Sequence, residues 1–173
     1  NLSYKLNLKP KMLIADIKGK LSIHEEHSED FLTSAVFSVF NYLGEKYLHE
    51  FLNQSKNIFN QNLTILPNNF EFEFWPWYSS SKKNVGGSEP DVVLQSKDFM
   101  AIIEAKNHGG KHGVGVIENE ELNDNVFVID QLAREYMIGV NSIKTNDVKD
   151  FALIYLTRDT IIPKADIEES IDA

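Results

Sequence analysis

Pro90-Asp91 and Glu104-Ala105-Lys106 are the residues of this chain whose types and spacing could do chemistry. Asp91 opens an apolar run, Val92-Val93-Leu94, and Glu104 follows thirteen positions later, at the end of a second run from Phe99 to Ile103. Gln95 to Asp98, between the runs, is polar and short enough for a hairpin turn. Residues at equal distance from a hairpin turn face each other, so Asp91 is expected beside Glu104. Lys106 shares the face of Glu104, because side chains on a strand repeat every two residues. Two carboxylates and an ammonium would then converge at one end of the hairpin. Carboxylate oxygens are hard ligands that suit Mg²⁺ or Mn²⁺. A neighbouring lysine can stabilise developing charge, or orient and deprotonate a water. Together these groups would support metal-assisted attack of water on a phosphodiester.

The elements that must position them can be read on either side. Residues 1–21 are a mixed lead-in with Pro10 and Gly19 as breakers. Ser22 to Glu25 has capping-box spacing, and Ser28, followed by Glu29 and Asp30, offers a second helix start. Phe31, Leu32, Ala35, Val36, Val39, Phe40 and Leu43 then fall on one helical stripe, which is expected to face the core. Gly44 bends or ends this helix, and Tyr47 to Leu52 continue in helical spacing. Phe70-Glu71-Phe72-Glu73-Phe74 alternates as a strand with one buried face. Trp75 to Tyr78 extends it, with Pro76 restricting that end to an edge or a bulge. After the hairpin, His108 to Gly115 reads as a glycine-rich loop and Glu118 to Asp124 as an acidic stretch. Val126 to Val140 reads as a helix, Phe151 to Leu156 as a buried strand, and the chain from Pro163 onward as the start of a further helix. The order is α-βββ-α-β, one α/β domain over residues 1–173 with a mixed sheet flanked by helices.

Composition bounds the partners. The chain has 173 residues, 42% hydrophobic and 25% charged, the proportions of a globular protein with a full core. No cysteine is present, which removes disulfides and thiolate metal sites. No apolar run approaches the roughly 20 residues that span a bilayer, and no secretory leader is evident, so the expected location is cytoplasmic and away from membranes. A net charge of -9 argues against tight, autonomous binding of a polyanion, because phosphate neutralisation supplies most of such affinity. A homodimer, or a larger complex, is therefore the expected source of substrate affinity. The chain opens on Asn1 and stops at Ala173 inside a helix start, the ends expected of a fragment or a trimmed product.

Pro90-Asp91, twelve intervening residues and Glu104-Ala105-Lys106 resemble the signature of the PD-(D/E)XK nucleases, a superfamily of restriction enzymes and repair nucleases. The element order is similar to that family's restriction-endonuclease-like core (αβββαβ) over about residues 25–160. The resemblance implies a Mg²⁺-dependent nuclease, with Mn²⁺ able to substitute, and DNA as the expected substrate. It implies Asp91 and Glu104 as metal ligands, the backbone carbonyl of Ala105 as a further ligand, and Lys106 as the catalytic lysine. Glu29, with Asp30 second, matches the acidic residue that many members carry on the first core helix. Gln131 in DQLAREY is similar to a glutamine that some members place on the following helix, but Tyr136 stands five positions on instead of four. That departure puts a substrate contact by Tyr136 in doubt. Lys111 and His112, on the loop after the Glu104 strand, are candidates to approach a nucleic-acid backbone. Their segment lacks the spacing of a phosphate-binding P-loop. The competing expectation is a catalytically inactive module of the same fold that binds or assembles within a larger complex.

Overall fold

The runs Val92–Gln95 (β2) and Phe99–Lys106 (β3) are apolar at successive positions, as strands covered on both faces must be. The structure, a computed structural model, describes residues 29–57, 59–62, 69–79, 87–106, 115–118, 126–157 and 164–172. The lead-in over 1–21 and the helix-start signals at Ser22 and Ser28 lie outside these residues. The described elements are α1 (Glu29–Leu43), α2 (Glu45–Leu52), β1 (Glu71–Phe74), β2, β3, β4 (Gly115–Glu118), β5 (Val126–Ile129), α3 (Gln131–Lys144), β6 (Asp150–Thr157) and α4 (Lys164–Asp172).

β1, β2, β3 and β6 form one mixed sheet in that order, antiparallel from β1 to β3 and parallel between β3 and β6. The hairpin register pairs Val92 with Ile103 and Gln95 with Met100. Extending it by one residue sets Asp91 opposite Glu104, as the spacing predicts. The turn of this hairpin is anchored to the start of β6, where Lys149 and Asp150 donate backbone N–H groups to the Asp98 carbonyl at 2.9 and 3.2 Å.

Alternation along β2 and β3 divides the core. Val92, Leu94, Ala101 and Ile103 pack with Phe37, Leu48 and Leu52 of α1 and α2. Val93, Met100 and Ile102 pack on the other face with Val148, and with Ile138 of α3. Each such buried aliphatic side chain contributes about 1.5–3 kcal/mol. Glu104 and Lys106 follow Ile102 in the alternation and so share the α3 face, at the end of the strand.

Three expectations require correction. Leu32, Val36, Val39 and Leu43 lie on the exposed side of α1, whereas Thr33, Ser34 and Phe37 face the interior. Two small polar side chains and one aromatic thus make up the buried face, and Phe37 inserts beside Phe51, whose ring α2 folds back to within 5.9 Å. Gly44, at φ 92°, makes that reversal in a conformation that only glycine adopts without strain. Second, Val126–Ile129 is a strand paired with β4, which itself takes up Gly115 from the expected loop. A run of β-branched and aromatic residues favours a strand, and Asp130 then starts α3 by accepting the Ala133 N–H at 2.9 Å. The helix runs on to Lys144. Third, β1 ends at Phe74: Trp75 turns to φ 49°, and pairing resumes only as a bridge between Tyr78 and Ser88. Gly87 permits that close passage, since a Cβ there would lie 2.5 Å from the Trp77 ring.

Candidate functional site

Asp91 is positioned by its own backbone and by its neighbour across the hairpin. Its carbonyl accepts the Trp75 N–H at 3.1 Å. Its side-chain Oδ2 accepts the Ala105 N–H at 2.7 Å, and its Oδ1 accepts the Trp75 indole N–H at 3.3 Å. The irregular backbone at Trp75 thus serves the site, because it brings the indole under the carboxylate. Ala105, whose carbonyl the resemblance nominates as a ligand, meets the site through its N–H.

Glu104 is 2% exposed. Its Oε1 takes a charge-assisted hydrogen bond from the Lys106 ammonium. The same ammonium lies 3.7 Å from Glu29 Oε2, so the first turn of α1 reaches the end of β3. Asp30, beside Glu29, adds negative charge near Asp91. The hairpin sets Asp91 opposite Glu104 with Lys106 on Glu104, and Glu29, the acid that the resemblance nominates on the first helix, reaches the Lys106 ammonium. Lys111 and His112 lie outside the described residues. Gln131 donates its side-chain amide to Glu135 Oε1 at 3.0 Å. Tyr136 is half exposed and packs its ring 5.3 Å from that of Phe151.

Glu135 is the residue that sequence reading missed. It is completely buried, on the face of α3 turned to the sheet, and its Oε1 also accepts the Ser88 hydroxyl at 3.3 Å. Its carboxyl lies within hydrogen-bonding reach of Glu104. A hydrogen bond between two carboxyl groups requires a proton on one of them. With both ionised, Oε2 of Glu104 and Oε2 of Glu135 are buried without a donor.

Three acids with a single ammonium between them hold their protons more tightly than usual. Burial raises Asp91 to about 7, and the Glu104 charge adds to the rise against the Ala105 N–H and Lys106. Burial likewise raises Glu104 to about 7, helped by the charge of Glu135 and opposed by Lys106. Burial raises Glu135 to about 7 despite its bonds from Gln131 and Ser88. Burial alone would pull the Lys106 ammonium down. The Glu104 hydrogen bond and the charges of Glu104, Glu29 and Asp91 outweigh it, and the net shift is upward.

The donor set is all oxygen, of the kind that suits Mg²⁺ or Mn²⁺, and the two buried Oε2 atoms lack any partner that a cation would displace. Asp91 would contribute the lone pairs left over from Ala105 and Trp75. Among the described residues, no three histidine or carboxyl side chains already converge closely enough to hold a metal ion. No helix among them is long and apolar enough to cross a membrane. No protein-family model, curated protein or solved structure matches this chain.

Proposed function

We propose that this chain is a divalent-cation-dependent nuclease with a restriction-endonuclease-like core, hydrolysing phosphodiester bonds in nucleic acid, with DNA as the favoured substrate. One observation carries the reading: Asp91 and Glu104 face each other across β2 and β3, with the Lys106 ammonium on Glu104, at the end of the sheet nearest Glu29. The order α1, β1–β3, α3, β6 supports the fold reading, with the β4–β5 hairpin as an insertion between β3 and α3.

Asp91 and Glu104 would hold Mg²⁺ or Mn²⁺. Such a cation supplies a water of lowered pKa and neutralises charge on the phosphate. Lys106 would orient the attacking water or stabilise the charge that develops on the phosphate, and Glu29, 3.7 Å from the ammonium, would help to hold it in place. The Ala105 N–H keeps the Asp91 carboxylate turned inward. Affinity for a polyanion has to come from elsewhere than the net charge of -9, by a second copy or a larger complex.

The deciding experiment is a cleavage assay on plasmid, linear and single-stranded substrates with Mg²⁺ and Mn²⁺, run beside folded Asp91→Ala and Lys106→Ala proteins. Cleavage by the wild type that both variants lose is the expected result, and cleavage that survives in both refutes the assignment. A second reading is a module of this fold that binds or assembles without cutting. It draws support from the acidic balance and from the lack, among the described residues, of a ready three-ligand group. Absence of both Mn²⁺ heat in calorimetry and nicking of any DNA or RNA would decide for it.

A further inference from the structure

The roles given to Asp91, Glu104, Lys106 and Glu29 leave Glu135 unused, although a buried acid beside another buried acid is costly to keep. It lies thirty-one positions after Glu104, and it arrives on a different element, α3. Two donors from separate parts of the chain hold its Oε1: Ser88 from the bridge before β2, and Gln131 one turn earlier on α3. Both bonds fall on one oxygen. With both acids ionised the other oxygen, Oε2, is buried with no donor, and so is Oε2 of Glu104, whose carboxyl lies within hydrogen-bonding reach of that of Glu135. The helix itself is fixed at its start, where Asp130 caps Ala133 and accepts the Ser170 hydroxyl of α4 at 2.6 Å.

A purely structural glutamate would present both oxygens to donors, and an amide at this position would satisfy Glu104 without adding charge. Neither describes the ionised Glu135. The arrangement aligns one oxygen and reserves the other, as residues around a metal ligand do when they set its direction. Lys106 donates to neither Oε2: its ammonium bonds Glu104 Oε1 and lies 3.7 Å from Glu29 Oε2.

We infer that Glu135 is a further cation ligand, its free Oε2 and that of Glu104 forming a buried, oxygen-only seat for one divalent cation, with Ser88 and Gln131 as its positioning residues. The inference rests on the cation dependence proposed above and adds to it a carboxylate that the Pro-Asp and Glu-Ala-Lys pattern does not contain. It also changes the expected role of Gln131, from a contact to substrate to a support for Glu135.

Mn²⁺ binding, followed by calorimetry at pH 8 on wild type, Glu135→Gln and Glu135→Asp, tests it without any turnover. Glutamine keeps the shape and loses the charge; aspartate keeps the charge and draws the carboxyl back by one methylene. Wild type is expected to bind one Mn²⁺, with affinity falling at least tenfold in Glu135→Gln and several-fold in Glu135→Asp. In contrast, the metal-free glutamine protein should melt no lower than wild type, since one of two facing acids is gone. Mn²⁺ affinity within twofold of wild type in either folded variant overturns the inference while leaving the nuclease reading intact. A wild type that binds no Mn²⁺ overturns both.

Discussion

Metal-free protein is expected to lose stability as pH rises from 5 to 8, the reverse of a domain held together by ion-paired carboxylates. Asp91, Glu104 and Glu135 each sit near 7 in the folded chain, against 3.8 for a free aspartate and 4.5 for a free glutamate. Between about 4.5 and about 7 the folded form therefore keeps protons that the unfolded chain releases, and stability must fall as pH climbs through that window. Moving one carboxyl from 4.5 to about 7 corresponds to about 3 kcal/mol. The three acids titrate as a group, with Lys106, Glu29 and Asp30 facing them, so one such increment represents the cluster. For a chain of 173 residues, about 3 kcal/mol is a fall in Tm of about 6–12 °C. Thermal and urea denaturation at pH 5, 6, 7 and 8 in chelator would measure it. Mn²⁺ at a hundred times its Kd should restore about 2.7 kcal/mol at pH 8. Its effect should be smaller at pH 5, where protons compete for the same oxygens. Glu135→Gln should flatten the chelator curve. A Tm that holds level or rises from pH 5 to 8 in chelator would refute the claim that these acids are buried together with too little positive charge.

Two substitutions test the helix that carries Glu135. A Cβ at Gly139 would lie 2.1–2.5 Å from three atoms of the Phe151 ring, including the atom nearest the backbone, so the ring cannot simply swing aside. Gly139→Ala should cost about 1–3 kcal/mol from overpacking, less about 1 kcal/mol of gained helix propensity, and lower the urea midpoint. Asp130→Ala removes the acceptor for Ala133 N–H and Ser170 Oγ, and should cost about 1–2 kcal/mol. Faster amide exchange at Ala133 would show the fraying directly, and protection equal to wild type would count against the cap.

The hairpin was legible because its pattern is local. Two apolar runs with a polar turn fix a register by counting, and counting alone sets Asp91 against Glu104. α1 was legible as a helix but not in its orientation. Its apolar side chains cover more than one face, and the face turned inward is the one with Thr33, Ser34 and Phe37. In the sequence, residues 126–129 read as part of the following helix because Val128 continues the spacing of Leu132. Asp130 was the signal that should have divided them, a capping residue immediately before the true start.

Glu135 shows a different limit. Its neighbours on the core face of α3 are Leu132 and Gly139, three residues before and four after, so an acid occupies a position that helical spacing reserves for apolar side chains. That mismatch was visible in the sequence, and it marks either an error of phase or a functional group. What decides between them is not local. The partners that place Glu135 are Ser88, forty-seven residues earlier, and the carboxyl of Glu104, reached only once α3 has crossed the sheet between β3 and β6. A motif read along one hairpin can specify two carboxylates and a lysine. The charge those groups still lack, or the further acid that deepens the lack, is fixed by the crossover. The fold therefore adds a third buried acid where the hairpin already sets two carboxylates against one ammonium, an excess that the cation proposed above would neutralise.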